Sequence, residues 1–192
     1  MKVNSLQELY VDELKDLYDA ENQIIKALPK MIDAASSEEL QNALTEHLKV
    51  TREQAKRIEQ IFQNMGEKLK AEKCKGMEGV IKEGAEILSE DMDENVKDAA
   101  IISAAQRVEH YEMAGYGTVR TWANLLGESE AEELLQETLD EEKEADEKLN
   151  QLAEQINVQA EAGADEEEEP EVRPSSQQRR PKKSSSRSRR AA

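Results

Sequence analysis

Proline is absent from residues 30–169, a stretch that makes up most of this chain. Its four occurrences are Pro29, Pro170, Pro174 and Pro181. Because proline inside a helix removes a backbone hydrogen bond and clashes with the preceding turn, a proline-free stretch can hold long uninterrupted helices. The same stretch is rich in Ala, Leu, Glu, Lys and Gln, which lose little conformational freedom in a helix. It shows no alternation of apolar and polar residues typical of strands, so the sequence predicts an all-α protein.

Apolar residues recur every three or four positions in four long segments, which predicts four long helices. Asn4 or Ser5 is placed to cap the first helix, and the sequence SSEEL at 36–40 to begin the second. Gly66 and Gly127 are suited to end the second and the third. The predicted helices cover about residues 4–34, 37–66, 95–126 and 128–158, with a short extra helix at about 77–90.

Helices of about 28 residues are each roughly 40 Å long at 1.5 Å per residue, a length that suits an antiparallel four-helix bundle. The segment that joins the second and third long helices contains the short helix, and such long crossovers occur in ferritin-like bundles. We therefore predict that residues 1–159 form one ferritin-like antiparallel four-helix bundle with a short extra helix in the crossover.

Residues 160–192 differ in composition from the rest, with an acidic block followed by a basic block. They contain seven acidic and eight basic residues, whereas residues 1–159 contain 36 acidic and 18 basic residues. This composition predicts a disordered polyampholyte tail. The eight Arg or Lys residues could contact nucleic-acid phosphates, but the tail has no aromatic side chains for stacking on bases. We expect any such binding to be weak and non-specific, and the acidic body opposes it.

The whole chain has a formal net charge of −17, which favours solubility and opposes binding of the folded part to nucleic acid or anionic membrane. Cys74 is the only cysteine, so an internal disulfide is impossible, and the N-terminal sequence has charges where a signal peptide would need an apolar core. No apolar run approaches the roughly 20 residues of a membrane-spanning helix. We predict a cytoplasmic protein without a membrane segment.

Polar side chains interrupt the apolar stripe of every long helix near its middle. Ionised groups that face one another inside a bundle repel and lose hydration, so protons or cations must balance them. The interrupting residues are Glu21 on the first helix, His47 on the second, Glu109, Glu112 and Tyr116 on the third, and Glu142 and Asp146 on the fourth. Oxygen-rich sites with one or two imidazoles suit iron or manganese, which indicates a metal centre with one or two metals.

Simpler interpretations compete with a metal centre. A single Glu on an acidic helix is more often solvated, and a lone His such as His47 is more often a hydrogen-bonded core residue. Tyr116 is more often a packing residue whose hydroxyl bonds a carboxylate. The chain also contains no Glu-x-x-His motif, the usual source of ligands in di-iron bundles. The coincidence on four helices is what favours a metal.

Several segments in order resemble the YciE/YciF family of bacterial stress-associated, ferritin-like proteins. They include ELYVDELKDLYDAENQIIKALPKM, EHLKVTREQAKRIEQIF, EKCKGMEGVIKEG, AAQRVEHYEMAGYGTVRTWANLLGE and LLQETLDEEKEADEKLNQLA, which together cover about residues 3–159. The resemblance implies a fold similar to rubrerythrin and ferritin, a homodimer, and metal inside the bundle. It points to Glu21, His47, Glu109, Glu112, Glu142 and Asp146 as metal ligands, with Thr51, Gln54, Gln106, His110 and Tyr116 supporting them.

Two functions follow as hypotheses. The first is a metal-binding stress protein that oxidises ferrous iron or removes peroxide. The second is a non-enzymatic, dimeric stress scaffold with a buried polar network, whose basic tail contacts nucleic acid or protein partners.

Helical angles divide the segment QRVEHYEMAGYG at 106–117 between two faces. Glu109, Glu112 and Tyr116 are predicted to face inward, and Gln106 and His110 lie one step around the helix.

Overall fold

The computed structural model describes residues 3–167 of the chain, and these residues fold into five α-helices without a strand. The helices are α1 (Leu6–Ala34), α2 (Glu38–Met65), α3 (Lys75–Leu88), α4 (Glu94–Leu126) and α5 (Ser129–Glu167). Four of them are long, and the short α3 lies in the connection between α2 and α4. The prediction of an all-α four-helix bundle with an extra crossover helix is confirmed.

The helix ends show the chemistry expected from the sequence. The Ser5 hydroxyl accepts a hydrogen bond from the backbone N–H of Glu8, and the Ser37 hydroxyl accepts one from that of Leu40. Both bonds satisfy backbone donors that have no partner within the helix. Gly66 and Gly127 end α2 and α4 with φ values of 70° and 81°, in the left-handed region that favours glycine.

The last helix ends later than predicted. We expected an end at about Val158, where the strong apolar repeat stops, but α5 continues to Glu167. The extension contains mainly Ala and Glu, which have high helix propensity even without a core to pack against. The remainder of the predicted polyampholyte tail, residues 168–192 with the whole basic block, lies outside the described residues.

The hydrophobic core consists of two clusters, which we call the lower core and the upper core. The lower core includes Leu14 of α1, Ile58 and Phe62 of α2, Val119 of α4 and Leu135 of α5. The upper core is formed by the other half of each helix. It includes Ile24 of α1, Leu44 of α2, Ile101 of α4 and Leu149 of α5.

The order in which each long helix passes the two cores shows the direction in which that helix runs. Helices α1 and α5 pass from the lower core to the upper core, whereas α2 and α4 pass from the upper core to the lower core. The long helices that contact one another are α1 with α2, α4 with α5, α2 with α5, and α1 with α4. Each of these pairs is antiparallel. A buried polar layer separates the two cores at the middle of the bundle, where Glu21, Thr51, Gln54, Glu109, Glu112 and Glu142 lie.

The crossover helix α3 packs against α1 and α4. Its cap residue Cys74 donates its backbone N–H to the Asp19 carboxylate at 2.9 Å, and its carbonyl accepts a hydrogen bond from Gln23 at 3.0 Å. The Cys74 sulfur lies 3.1 Å from the Tyr111 hydroxyl of α4. Side-chain contacts with both α1 and α4 therefore hold the start of α3. In the described part of the chain, no helix is long and apolar enough to cross a membrane.

Candidate metal centre

Four buried side chains from three helices converge in the polar layer. They are His47 of α2, Glu109 and Glu112 of α4, and Glu142 of α5, and one ligand atom of each lies within 4.8 Å of the others. Glu109 and Glu112 share one face of α4 because they are three residues apart. A single ion of first-row transition metal size can contact atoms in such a group, since nitrogen and oxygen ligands bind at about 2.0–2.2 Å.

The same side chains carry polar atoms without a hydrogen-bond partner among the described residues. These atoms are Nε2 of His47, Oε2 of Glu109, and both carboxylate oxygens of Glu112 and of Glu142. Buried polar atoms in native proteins almost always have a partner, and leaving one unsatisfied costs about 1–3 kcal/mol or more when it is charged. Lone pairs from one imidazole and three carboxylates suit iron or manganese, so the residues present fit a metal of this kind.

The state of His47 also favours a ligand role. Burial lowers its pKa to about 4, so the imidazole is neutral at neutral pH. Its Nε2 lies 3.4 Å from Oε1 of Glu109, and this pair is not a salt bridge because the imidazole carries no charge. A neutral imidazole can offer a lone pair to a metal without first losing a proton.

The carboxyl groups of the cluster resist ionisation in the absence of a cation. Burial raises the pKa of Glu109 and of Glu112 well above the usual range, and the neighbouring Glu142 and Glu21 charges raise these pKa values further. Burial also raises the pKa of Glu142 to about 7, with a contribution from the charge of Glu141. A bound metal ion would lower these pKa values by supplying positive charge. The carboxyl groups of the cluster must therefore hold either protons or a cation.

Glu21 of α1 lies beside the four-residue cluster. Its side chain is fully buried, and one oxygen accepts a hydrogen bond from the Tyr116 hydroxyl, while Oε2 has no partner among the described residues. Burial and the charge of Glu142 raise its pKa well above the usual range. Tyr116 therefore orients a carboxylate, as predicted, and Glu21 is a further oxygen donor next to the cluster.

A pair of charged residues that the sequence analysis missed lies at the edge of the site. Glu141 accepts hydrogen bonds from Gln54 at 3.1 Å and from Nη2 of Arg57 at 2.8 Å. Its charge adds to the rise in the pKa of Glu142, whereas at His47 it opposes the larger lowering of the pKa by burial. In the sequence, Glu141 is next to Glu142, and Arg57 lies about one helical turn after Gln54. These positions could have indicated the pair, but similar Glu and Arg residues occur all along these helices.

The remaining predicted residues lie in two other places. Thr51 is buried near His47, where its hydroxyl donates a hydrogen bond to the His47 carbonyl at 2.8 Å. Asp146 lies outside the cluster of four and forms a separate group with Gln106 at 3.3 Å and with His110 at 3.3 Å. The His110 side chain is 67% exposed, which agrees with its predicted position away from the inward face of α4.

Comparison with known proteins identifies relatives over nearly the whole described region. Residues 5–162 match the family described as "Domain of unknown function (DUF892)". Protein YciF from Escherichia coli (strain K12) is 43% identical over 163 residues, which cover 84% of this chain and 98% of YciF. The crystal structure of that E. coli stress protein matches with a TM-score of 0.79 and 42% identity, over 81% of this chain and 99% of YciF.

Two other solved structures show the same fold. YcfI from Rhodopseudomonas palustris matches with a TM-score of 0.76 and 44% identity, over 78% of this chain and 95% of YcfI. A protein from Xanthomonas campestris pv. campestris matches with a TM-score of 0.69 at 20% identity, over 84% of this chain and 99% of that protein, which supports the fold alone. The predicted resemblance is confirmed, and the chain belongs to the DUF892 family, together with the stress protein YciF.

Proposed function

We propose that this chain is a metal-binding stress-response protein that holds iron or manganese inside its helical bundle. His47, Glu109, Glu112 and Glu142 would hold the metal, and Glu21 would contribute an oxygen to a second position. The observation that carries the proposal is the convergence of four buried ligand atoms whose hydrogen-bonding capacity is not used within the described part of the chain.

The protein side chains have distinct tasks in this proposal. The carboxylates balance the charge of the cation, and the cation in turn allows them to ionise in a buried place. Tyr116 fixes the orientation of Glu21, and the apolar cores cover the layer above and below. Bound iron would supply one-electron chemistry, which suits oxidation of ferrous iron by dioxygen or by peroxide, the peroxide being reduced to water by two ferrous ions.

A non-enzymatic scaffold is the competing proposal. Such a scaffold would satisfy its buried polar groups with hydrogen bonds among Glu21, Glu109, Glu142, His47 and Gln106. Gln106 instead bonds Asp146 and Asn150, outside the cluster, and no hydrogen bond of good geometry reaches either oxygen of Glu142 in the described region. This arrangement favours a metal site over a closed polar network. A homodimer in the cytoplasm, as expected from the sequence and its resemblance, remains part of either proposal.

Elemental analysis tests the metal proposal directly. We expect protein purified without an affinity tag or chelator to contain iron or manganese in a fixed ratio to protein. Glu109→Ala and Glu142→Ala should each lose most of this metal, whereas Glu144→Ala, at an exposed position of the same helix α5, should keep it. Ferrous ion added in air should produce a new absorbance band in the wild-type protein and in Glu144→Ala, but not in Glu109→Ala or Glu142→Ala. Absence of both metal and absorbance change in the wild type would refute the proposal and favour the scaffold.

A further inference from the structure

A cavity of about 270 Å³ lies between α1, α3 and α4, next to the upper core. Its walls are mostly aliphatic, and α3 supplies one side of it through Val80, Ile81 and Leu88. The opposite walls come from the bundle, and they include Ile24, Leu28 and Val108. The space is partly enclosed and opens to solvent on one side, as pockets that bind small molecules do.

The inner end of the cavity reaches the polar layer. His47 and Glu109 belong to its lining, and each carries a buried polar atom without a hydrogen-bond partner among the described residues. The cavity is therefore continuous with the carboxylate and imidazole cluster. A ligand that fills the cavity would bring its far end next to these two side chains.

The mouth of the cavity carries two exposed cations. Lys26 and Lys30 of α1 line the opening, one helical turn apart, and among the described residues neither has an ion-pair partner. Most of this protein is acidic, with a net charge of −17, so two free lysines beside an apolar opening form a local positive site on a negative surface. This arrangement is complementary to a molecule with one anionic end and an apolar body.

We propose that this cavity binds a carboxylic acid with an apolar chain or ring, the carboxylate lying at Lys26 and Lys30. An engineered apolar cavity of about 150 Å³ binds benzene, so the larger volume here suits a chain of about eight to ten carbons. The site goes beyond the metal-binding function because its apolar walls and its lysines do not require a metal. Its inner end nevertheless shares His47 and Glu109 with the metal site, so the bound chain and a bound metal would be neighbours.

Calorimetric titration of chelator-treated full-length protein with octanoate and with 1-octanol tests the lysines at the mouth separately from the apolar walls. We expect saturable binding of one octanoate per chain. The double variant Lys26→Gln/Lys30→Gln should weaken octanoate binding by roughly three- to tenfold, the effect of losing two exposed charge contacts, and change 1-octanol binding by less than about twofold. Lys49→Gln, an exposed lysine of α2 that does not line the cavity, should leave octanoate binding unchanged.

Substitutions that fill the cavity test its apolar part. Gly84→Leu adds a side chain to the cavity wall, where a Cβ would lie 3.4 Å from the Ala104 Cβ, and Ala27→Phe fills it from α1. Each should weaken binding of both octanoate and 1-octanol by more than about tenfold, with circular dichroism confirming the helical fold.

No saturable binding by the wild type, or wild-type affinity in both filled variants, would overturn the proposal. If Lys26→Gln/Lys30→Gln and Lys49→Gln changed octanoate binding equally, the placement of the carboxylate at Lys26 and Lys30 would be overturned. Metal analysis of the untreated protein is a separate measurement, so failure of either proposal is recognised without the other.

Discussion

Glu142 lies at the centre of the bundle, where its ionised form is unfavourable without a cation and favourable beside one. Its side chain is fully buried, and burial raises its pKa to about 7, so at neutral pH without a cation it is partly charged in a site that disfavours charge. With a cation present, the same carboxylate becomes a ligand. One substitution at this position should therefore have opposite effects on the metal-free and the metal-loaded protein.

We expect Glu142→Gln to stabilise the metal-free protein at pH 7.5 by about 1–3 kcal/mol, because it removes a buried carboxylate of nearly the same shape. The same change should weaken metal binding by at least about tenfold, because glutamine is a poorer ligand for a cation. Urea unfolding with chelator, and then with added Mn²⁺, measures both effects. Glu144→Gln on the exposed side of α5 is the matched control and should change stability by less than about 0.5 kcal/mol. Loss of stability in the metal-free Glu142→Gln protein would contradict the buried-charge argument.

The pH dependence of the metal-free protein follows from the same pKa shift. The pKa of Glu142 rises from 4.5 to about 7 on folding, so the folded state binds more protons than the unfolded state between these values. The stabilising contribution is complete below about pH 4.5 and disappears as the pH rises through about 7. We expect the free energy of unfolding to fall between pH 5 and pH 7, at up to about 1.4 kcal/mol per pH unit for this one group. Urea titrations of the chelator-treated protein measure the slope, which should be smaller in Glu142→Gln; an equal slope would contradict the prediction.

Helical spacing was enough to predict which residues of the third long helix face inward. Glu109, Glu112 and Tyr116 are buried as expected, and His110 is exposed, because one helical face follows directly from 3.6 residues per turn. Spacing could not show which of the predicted ligands meet across helices. Asp146 lies one turn from Glu142, yet it accepts a hydrogen bond from Gln106 and lies 3.3 Å from His110 rather than joining the cluster. This difference depends on how the helices are rotated against one another.

At the scale of elements, local signals predicted the helices better than they predicted helix contacts. Ser37, Gly66 and Gly127 mark helix ends in the sequence, because their effects depend on the nearest turn of backbone. Pro170 follows the end of α5 by three residues, but the end of the apolar repeat near Val158 predicted a shorter helix, so the extension to Glu167 was not predicted. The docking of α3 onto α1 and α4 depends on contacts between residues distant in sequence, which a periodic pattern does not encode.

That docking can be tested with two glycines of the same helix. A Cβ at Gly76 would lie 2.6 Å from Cε2 and from the hydroxyl oxygen of Tyr111, whereas a Cβ at Gly79 would meet nothing within 4 Å. Tyr111 cannot move freely, because its hydroxyl donates a hydrogen bond to Asp16 at 3.3 Å and lies 3.1 Å from the Cys74 sulfur. We expect Gly76→Ala to lower the free energy of unfolding by about 1–2 kcal/mol through this clash.

Gly79→Ala serves as the control for that experiment. It adds the same methyl group to the same helix without a clash, so we expect it to raise the free energy of unfolding by up to about 1 kcal/mol through helix propensity. Urea unfolding of both variants, followed by circular dichroism, gives the two values. Shifts of the same sign and size would show that Tyr111 does not fix the position of α3.

At the scale of the whole molecule, the polar layer is the place where all four long helices could be joined. The lower and upper cores are each apolar and self-contained, while the layer between them brings together Glu21 of α1, His47 of α2, Glu112 of α4 and Glu142 of α5. Without a cation, this layer places several groups that resist ionisation between the two apolar cores. A metal ion there would connect the halves and stabilise the bundle as a unit.

Metal should therefore raise the stability of the entire bundle. In chelator-treated protein, we expect free Mn²⁺ at one hundred times its dissociation constant to raise the free energy of unfolding by about 2.7 kcal/mol, because it binds only the folded state. Mg²⁺ at the same concentration should have a much smaller effect, since it prefers oxygen ligands and water to the His47 imidazole. Urea unfolding followed by circular dichroism measures the shift, and Glu109→Gln/Glu142→Gln should abolish the response to Mn²⁺. An equal response to Mg²⁺, or a Mn²⁺ response that survives in the double variant, would place the stabilising cation on the acidic surface rather than between the two cores.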